Sequence, residues 1–146
     1  MNRRLPRLVP LFAAAIALIA AGASHAAGEK LAAFYKNQVD PHFALVRAGV
    51  EAAAKEMNAG AVTHYAPTRP NNLAEQLSEL EDVTVKKPDA ILFMAVDARG
   101  VVPAIEKVNA AGIPLVNYND KVRGGKFVSY VAADDYNLGL DAGRYL

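Results

Sequence analysis

The sequence has 146 residues, 53% hydrophobic and 21% charged, which suits one globular domain and excludes a disordered chain. Its formal charge is +1 and it contains no cysteine, so disulfides, a thiol nucleophile and a cysteine-linked lipid are excluded.

In chain order, residues 1–26 come first, "MNRRLPRLVPLFAAAIALIAAGASHA". Three arginines precede an apolar stretch from Leu8 to Ala21, and Ser24 and Ala26 have the spacing of a cleavage site. This is the pattern of a secretory signal peptide. Its apolar stretch, broken by Pro10, falls short of the roughly 20 residues that span a bilayer. The expectation is a protein exported to the periplasm, with a mature domain over residues 27–146. Cleavage removes Arg3, Arg4 and Arg7 and no acid, which turns the formal charge to −2. No basic cluster remains to neutralise phosphates, so a nucleic-acid partner is excluded.

The rest alternates between short apolar runs and amphipathic stretches. The runs are "KLAAFY" (30–35), "AVTHYA" (61–66), "AILFMAV" (90–96), "IPLVNY" (113–118) and "KFVSYVA" (126–132). Several are nearly continuous, as strands buried on both faces are. Between them, Phe43, Val46, Val50 and Ala54 recur at helical spacing, as do Leu73, Leu77, Leu80 and, less cleanly, Val83. A third set is Val101, Val102, Ile105, Val108 and Ala111. Each lays one apolar stripe against a sheet.

The boundaries agree with this parsing. Asp40 caps the first helix and Pro41 suits its first turn, where the missing N–H would have had no partner. Asn71 or Asn72 caps the second, with Glu75 placed to bond back, and Asp97 serves as a cap before the third. Gly112 ends the third helix ahead of Ile113-Pro114. Asp134-Asp135 looks like a carboxylate pair, but a cap explains it more simply, with Asp135 capping a last helix. Gly124-Gly125 permits a tight turn with positive φ. The order βαβαβαββα, with right-handed crossovers, predicts an α/β fold: a doubly wound, parallel, flavodoxin-like or Rossmann-like sheet with helices on both faces.

Catalytic signatures are missing. No G-x-G-x-x-G follows the first strand and no G-x-x-x-x-G-K-[ST] occurs, so nucleotide sites are not signalled. Beyond residue 26 the serines are Ser78 and Ser129, without a G-x-S-x-G elbow. His42 and His64 are far from metal-ligand spacing. The reading is a binding protein, without cofactor or metal.

In a sheet of this kind ligands sit beyond the carboxyl ends of the strands, near the switch point. "KNQVDPHF" follows the first strand, so it lies at that edge. His42 and Phe43 offer flat faces suited to the C–H surface of a sugar or cyclic polyol. Phe43 also begins the apolar stripe and serves equally as core, which makes His42 the stronger cleft candidate.

"NQVDPHFALVRAGVEAAAKE", "PTRPNNLAEQLSELEDVTVKKPDAILFMAVD", "VVPAIEKVNAAGIPLVNYND" and "VSYVAADDYNLGLDAGRYL" cover nearly all of residues 29–146. In this order and spacing they resemble the N-terminal lobe of ribose-binding-type periplasmic sugar-binding proteins of ABC importers. The resemblance implies the type I periplasmic binding protein (LacI-like) fold, and a two-lobed receptor that closes on a small ligand and presents it to a membrane permease. A chemoreceptor is a further partner that the residues leave open. By the same resemblance His42 and Phe43 stack on the ligand, with Lys36, Asn37 and Asp40 close enough for hydrogen bonds.

The family's next contact, commonly an asparagine in an "NP" pair, falls on Met94, followed by Ala95. Its Asp-Arg pair after the fourth strand falls on Asn119 and Asp120. These departures remove an amide and a guanidinium fork, and a buried hydroxyl left unpaired costs roughly 1–3 kcal/mol. Met94 either packs in the core, the simpler reading, or points to a less polar ligand patch, as for a deoxy sugar, a cyclic polyol or a sugar-derived signal. The resemblance covers one lobe. The expectation is thus a fragment of a longer receptor or a one-lobed remnant, the latter acting as an interaction or dimerisation module.

Overall fold

The computed structural model describes residues 29–146, and the expected signal peptide lies outside them. The elements are β1 (Leu31–Phe34), α1 (Pro41–Glu56), β2 (Val62–Tyr65), α2 (Leu73–Lys86), β3 (Ala90–Phe93), α3 (Val102–Ala110), β4 (Leu115–Tyr118), β5 (Ser129–Val131) and α4 (Asp135–Arg144). All strands join one parallel sheet in the order β2-β1-β3-β4-β5. The chain winds from β1 out to β2, then returns to the other side of β1 for β3. The switch point lies between β1 and β3, and the doubly wound α/β expectation holds.

Alternation along each strand divides the core in two. Phe34, Ile91, Phe93 and Leu115 point to one face, where Leu80 and Val83 of α2 and Ile105 and Val108 of α3 cover them. The Phe34 and Phe93 rings are 5.5 Å apart. On the other face Ala33, Tyr35 and Met94 meet Phe43 of α1, flanked by Val46 and Val50. The strands are shorter than the apolar runs that announced them. The β1–β3 pairing ends at Phe34 and Phe93, yet Met94 and Ala95 stay buried beyond it, so the run recorded burial rather than strand pairing.

Asp40 caps α1, accepting from the His42 amide at 2.9 Å. Of the two candidates for α2 it is Asn72 that caps, accepting from Glu75 N at 3.2 Å; Asn71 is in the left-handed region at φ 59°. Two capping expectations are corrected. Asp134 caps α4 through the Asn137 amide at 3.1 Å, because a carboxylate reaches the third residue of the helix only from one position before it starts; Asp135 already lies in the first turn. Asp97 does not cap α3, whose N-cap is Val101 without a side-chain bond. Its carboxylate instead closes the turn before the helix, accepting from Arg99 N at 2.9 Å and Gly100 N at 2.5 Å.

Gly112 follows α3 at φ 74°, as a C-terminal glycine should. Gly125 has φ 79°, and a Cβ there would stand 2.4 Å from Ile105 Cγ2, so the β4–β5 loop packs on α3 only with glycine. The last two elements differ from the rest. Every residue of β5 is exposed, and α4 buries none.

Candidate ligand-binding site

The carboxyl ends of β1, β3 and β4 carry three loops that meet at the switch point. Lys36, just past β1, forms an ion pair with Asp120, just past β4, although β3 lies between those strands. Asp120 Oδ2 also accepts from Asn119 Nδ2 at 2.9 Å. The loop that holds this group is fixed at several atoms. Asn119 has φ 66°, donates its amide to Val131 O at 2.9 Å and accepts from the Tyr130 hydroxyl at 2.8 Å. The Asp120 carbonyl accepts from Asn117 Nδ2 at 3.0 Å. Lys36, Asn119 and Asp120 are thus brought together as one donor and acceptor group.

The other candidates are placed differently. Asn37 Oδ1 accepts from the amides of Val39 (3.0 Å) and Asp40 (2.9 Å), and an Asp40 oxygen is taken by the helix cap. Both shape the loop that aims α1 at the crevice. Met94 is fully buried in the α1-side cluster. Phe43 is 8% exposed in the same cluster, so its ring serves the core and reaches the surface only at an edge. His42 is exposed, with its ring 5.3 Å from that of Phe43 in an edge-on arrangement.

A cavity of about 330 Å³ opens on the β2 side of α1, where Tyr35, Phe43, Arg47 and His64 line it together with Asn37 and Gln38. It shares only Asn37 and Phe43 with the expected site. At its base a polar chain crosses three elements. The Tyr35 hydroxyl lies 2.9 Å from His64 Nδ1, and His64 Nε2 lies 2.7 Å from Glu51 Oε1. A carboxylate only accepts, so Nε2 carries a proton, and in the neutral ring Nδ1 accepts from the phenol. Burial pushes the Tyr35 phenol up to about 12, against the pull of the Arg47 charge. Burial also raises Tyr118, whose hydroxyl donates to Phe34 O at 2.6 Å. Both tyrosines are held neutral and act as fixed hydrogen-bonding struts.

Two residues that sequence reasoning passed over build the crevice floor. Gln76 is fully buried. Its Nε2 donates to Met94 O at 2.9 Å and Tyr35 O at 3.4 Å, and its Oε1 accepts from Val96 N at 2.8 Å. Asn117 donates to Phe93 O at 3.1 Å and accepts from Val122 N at 3.0 Å. The signals were present: a glutamine within the apolar stripe between Leu73 and Leu80, and an asparagine inside the run "IPLVNY".

Among the described residues no group of three or more His, Cys, Asp or Glu could hold a metal ion, and no helix is long and apolar enough to cross a membrane. A family profile described as a periplasmic binding protein domain matches residues 31–146. The chain belongs to this family of periplasmic binding proteins. The curated relatives it matches are binding proteins and not enzymes.

Relatives of this periplasmic binding protein chain include the ribose import binding protein of Escherichia coli (strain K12). That protein is 27% identical over 133 residues, covering 90% of this chain and 44% of its own. The ribose import binding protein of Bacillus subtilis (strain 168) is 28% identical over 107 residues, 73% of this chain and 34% of its own. The chain therefore spans less than half the length of these relatives. Among solved structures, a glucose-galactose binding protein from Geobacillus stearothermophilus is 27% identical, with a TM-score of 0.69 over 81% of this chain and 41% of its own. A carbohydrate transporter solute binding protein from Agrobacterium radiobacter, in complex with D-arabinose, is 18% identical, with a TM-score of 0.73 over 82% of this chain and 40% of its own. At that identity the likeness is one of fold alone.

Proposed function

We propose that this chain forms one wall of a sugar receptor of an ABC importer, working in the periplasm after removal of residues 1–26. The observation that carries the reading is the meeting of Lys36, Asn119 and Asp120 at the switch point of the sheet; the loop after β1 that carries Lys36 leads into the first turn of α1, where His42 is exposed. The face of the His42 ring packs on the C–H surface of a sugar or sugar-like polyol, with Phe43 supporting it from the core. Asp120 and Asn119 accept hydroxyl protons, and the Lys36 ammonium donates. A second lobe closes over the ligand about a hinge, and the closed form docks on the permease, with a chemoreceptor as a second candidate partner. Binding needs no cofactor and no bond is made or broken.

A single wall lacks the surface that buries most of a ligand in a typical pocket, so the chain by itself binds weakly. The test is a titration of the isotope-labelled chain, followed by NMR, with D-ribose, D-galactose, D-arabinose and D-tagatose. At least one sugar is expected to give saturable, millimolar shifts at the amides of Lys36, Asn119 and Asp120, lost in a His42→Ala, Asn119→Ala double variant. Silence from the whole panel overturns the reading.

A second reading, a lobe that acts by pairing with another copy, is favoured by one observation. Val131, Tyr136 and Leu138 of β5 and α4 are more than half exposed. Light scattering decides: a defined dimer supports pairing, and a monodisperse monomer at high concentration removes it.

A further inference from the structure

The backbone at the switch point faces a hydrogen-bonding shortfall. β1 and β3 pair through Phe34 and Phe93, and a last bond runs from Met94 N to Phe34 O at 3.2 Å. Beyond it the chains part, one toward Lys36 and the other toward Asp97. Tyr35 O, Met94 O and Val96 N are then left without ladder partners where little water reaches, since Tyr35, Met94 and Ala95 are all buried. Such groups are costly to bury unsatisfied.

One side chain from α2 meets all three. Gln76 donates to both carbonyls and accepts from the Val96 amide. Only a primary amide supplies two donors and an acceptor on one rigid plane of this size. Leucine or methionine would fit the apolar stripe of α2 and leave three orphans. Glutamate would bring a second acceptor to face the carbonyls. Gln76 is fully buried beneath the crevice and is placed to set how far apart its two walls stand.

We propose that Gln76 is a positioning residue of the ligand crevice: its amide fixes the parting of the chains after β1 and β3, and thereby the placement of Lys36 against Asp120. This rests on the sugar-binding reading for its functional consequence, though not for its geometry. Asn117 does the corresponding work one strand further on, bonding Phe93 O and the Asp120 carbonyl, so the crevice floor is defined by side-chain amides where the ladder gives out.

The experiment uses the whole 146-residue chain in three variants. Gln76→Met removes the clamp at similar volume. Gln76→Glu makes it depend on protonation, because a buried carboxyl prefers the neutral form and, once protonated, again offers one donor and one acceptor. Val108→Ala, in the α2/α3-side core, is a control for destabilisation alone. Two readouts are taken: amide hydrogen exchange at residues 35–37 and 94–97, and the NMR response to D-ribose.

In Gln76→Met, exchange in these loops is expected to rise at least about tenfold above that in Val108→Ala at matched thermal stability, and the ribose response to weaken by about as much. In Gln76→Glu both are restored as the pH is lowered, a profile absent from the unaltered chain. Exchange and ribose response unchanged in Gln76→Met overturn the clamp. Loop exchange that rises while the ribose response holds overturns its role in positioning the ligand. If the unaltered chain responds neither to D-ribose nor to the other sugars of the panel, the sugar reading falls, and the exchange arm alone then decides whether Gln76 fixes the loops.

Discussion

The two faces of the sheet are built on different terms. Among the described residues, the core cluster under α2 and α3 has fourteen buried members, against four in the cluster under α1. The first face is almost wholly aliphatic and aromatic. The second is sparse, and polar contacts hold it: Tyr35 to His64 and Glu51, and Tyr118 to Phe34 O. Stability is concentrated on one side, where apolar burial is densest. The candidate crevice is assembled at the strand ends on the other, where Lys36 and Asp120 are partly exposed. The lesson is a division of labour: a rigid packed face supports a hydrogen-bonded one that can present functional atoms.

The largest expected effect separates the faces directly. Phe93→Ala, on the packed face, should cost about 3–5 kcal/mol in urea unfolding. Phe43→Ala should cost roughly half as much, about 2 kcal/mol, because fewer buried neighbours surround it. Equal losses would erase the distinction.

Alkali should attack the α1 face first. The folded chain keeps the Tyr35 proton up to about 12, against an ordinary value of 10.0, so between those values the unfolded chain has lost a proton that the folded one retains. The stabilisation is complete below pH 10 and disappears as the pH rises through about 12, a change on the order of 2 kcal/mol. Tyr35→Phe should flatten the fall in the denaturation midpoint over that window. Part of the fall should remain from Tyr118, whose phenol is also raised.

Smaller effects test how the crevice loops are held. Asp40→Ala should cost about 1 kcal/mol by leaving the first turn of α1 uncapped, read as a lower thermal midpoint, and Asp40→Asn should recover most of it. Least of all, Lys36→Met should cost under about 1 kcal/mol, because the Lys36–Asp120 pair is partly solvated. It should nonetheless abolish the sugar response, so that stability and binding part company at this residue.

Much of the fold was legible. Five apolar runs gave five strands in the expected order, and the stripes of α1, α2 and α3 fell on residues that pack, except Ala111, which is exposed at the end of α3. Asp40, and one of Asn71 and Asn72, were readable as caps because capping is settled within four residues. The misplaced caps at Asp97 and Asp135 show the resolution of that signal: an acid near a helix start is visible, but whether it bonds the helix or the turn before it depends on backbone angles that composition does not record. The site was less legible. Lys36, Asn119 and Asp120 were named from the family resemblance and the structure brings them together, whereas Gln76 and Asn117 were passed over as members of apolar runs.

The sequence by itself determined the alternation of strands and helices, the parallel winding and the loops at the carboxyl ends of the strands, because periodicity, caps and crossover handedness are local properties. The tertiary structure alone decided that Lys36 pairs with Asp120 across an intervening strand, that Tyr35, His64 and Glu51 form one chain, and that a glutamine from α2 closes the ends of β1 and β3. Those partners are distant in sequence. Strand order brings them together, and burial then requires every polar group left over at the strand ends to find whatever partner the packing offers.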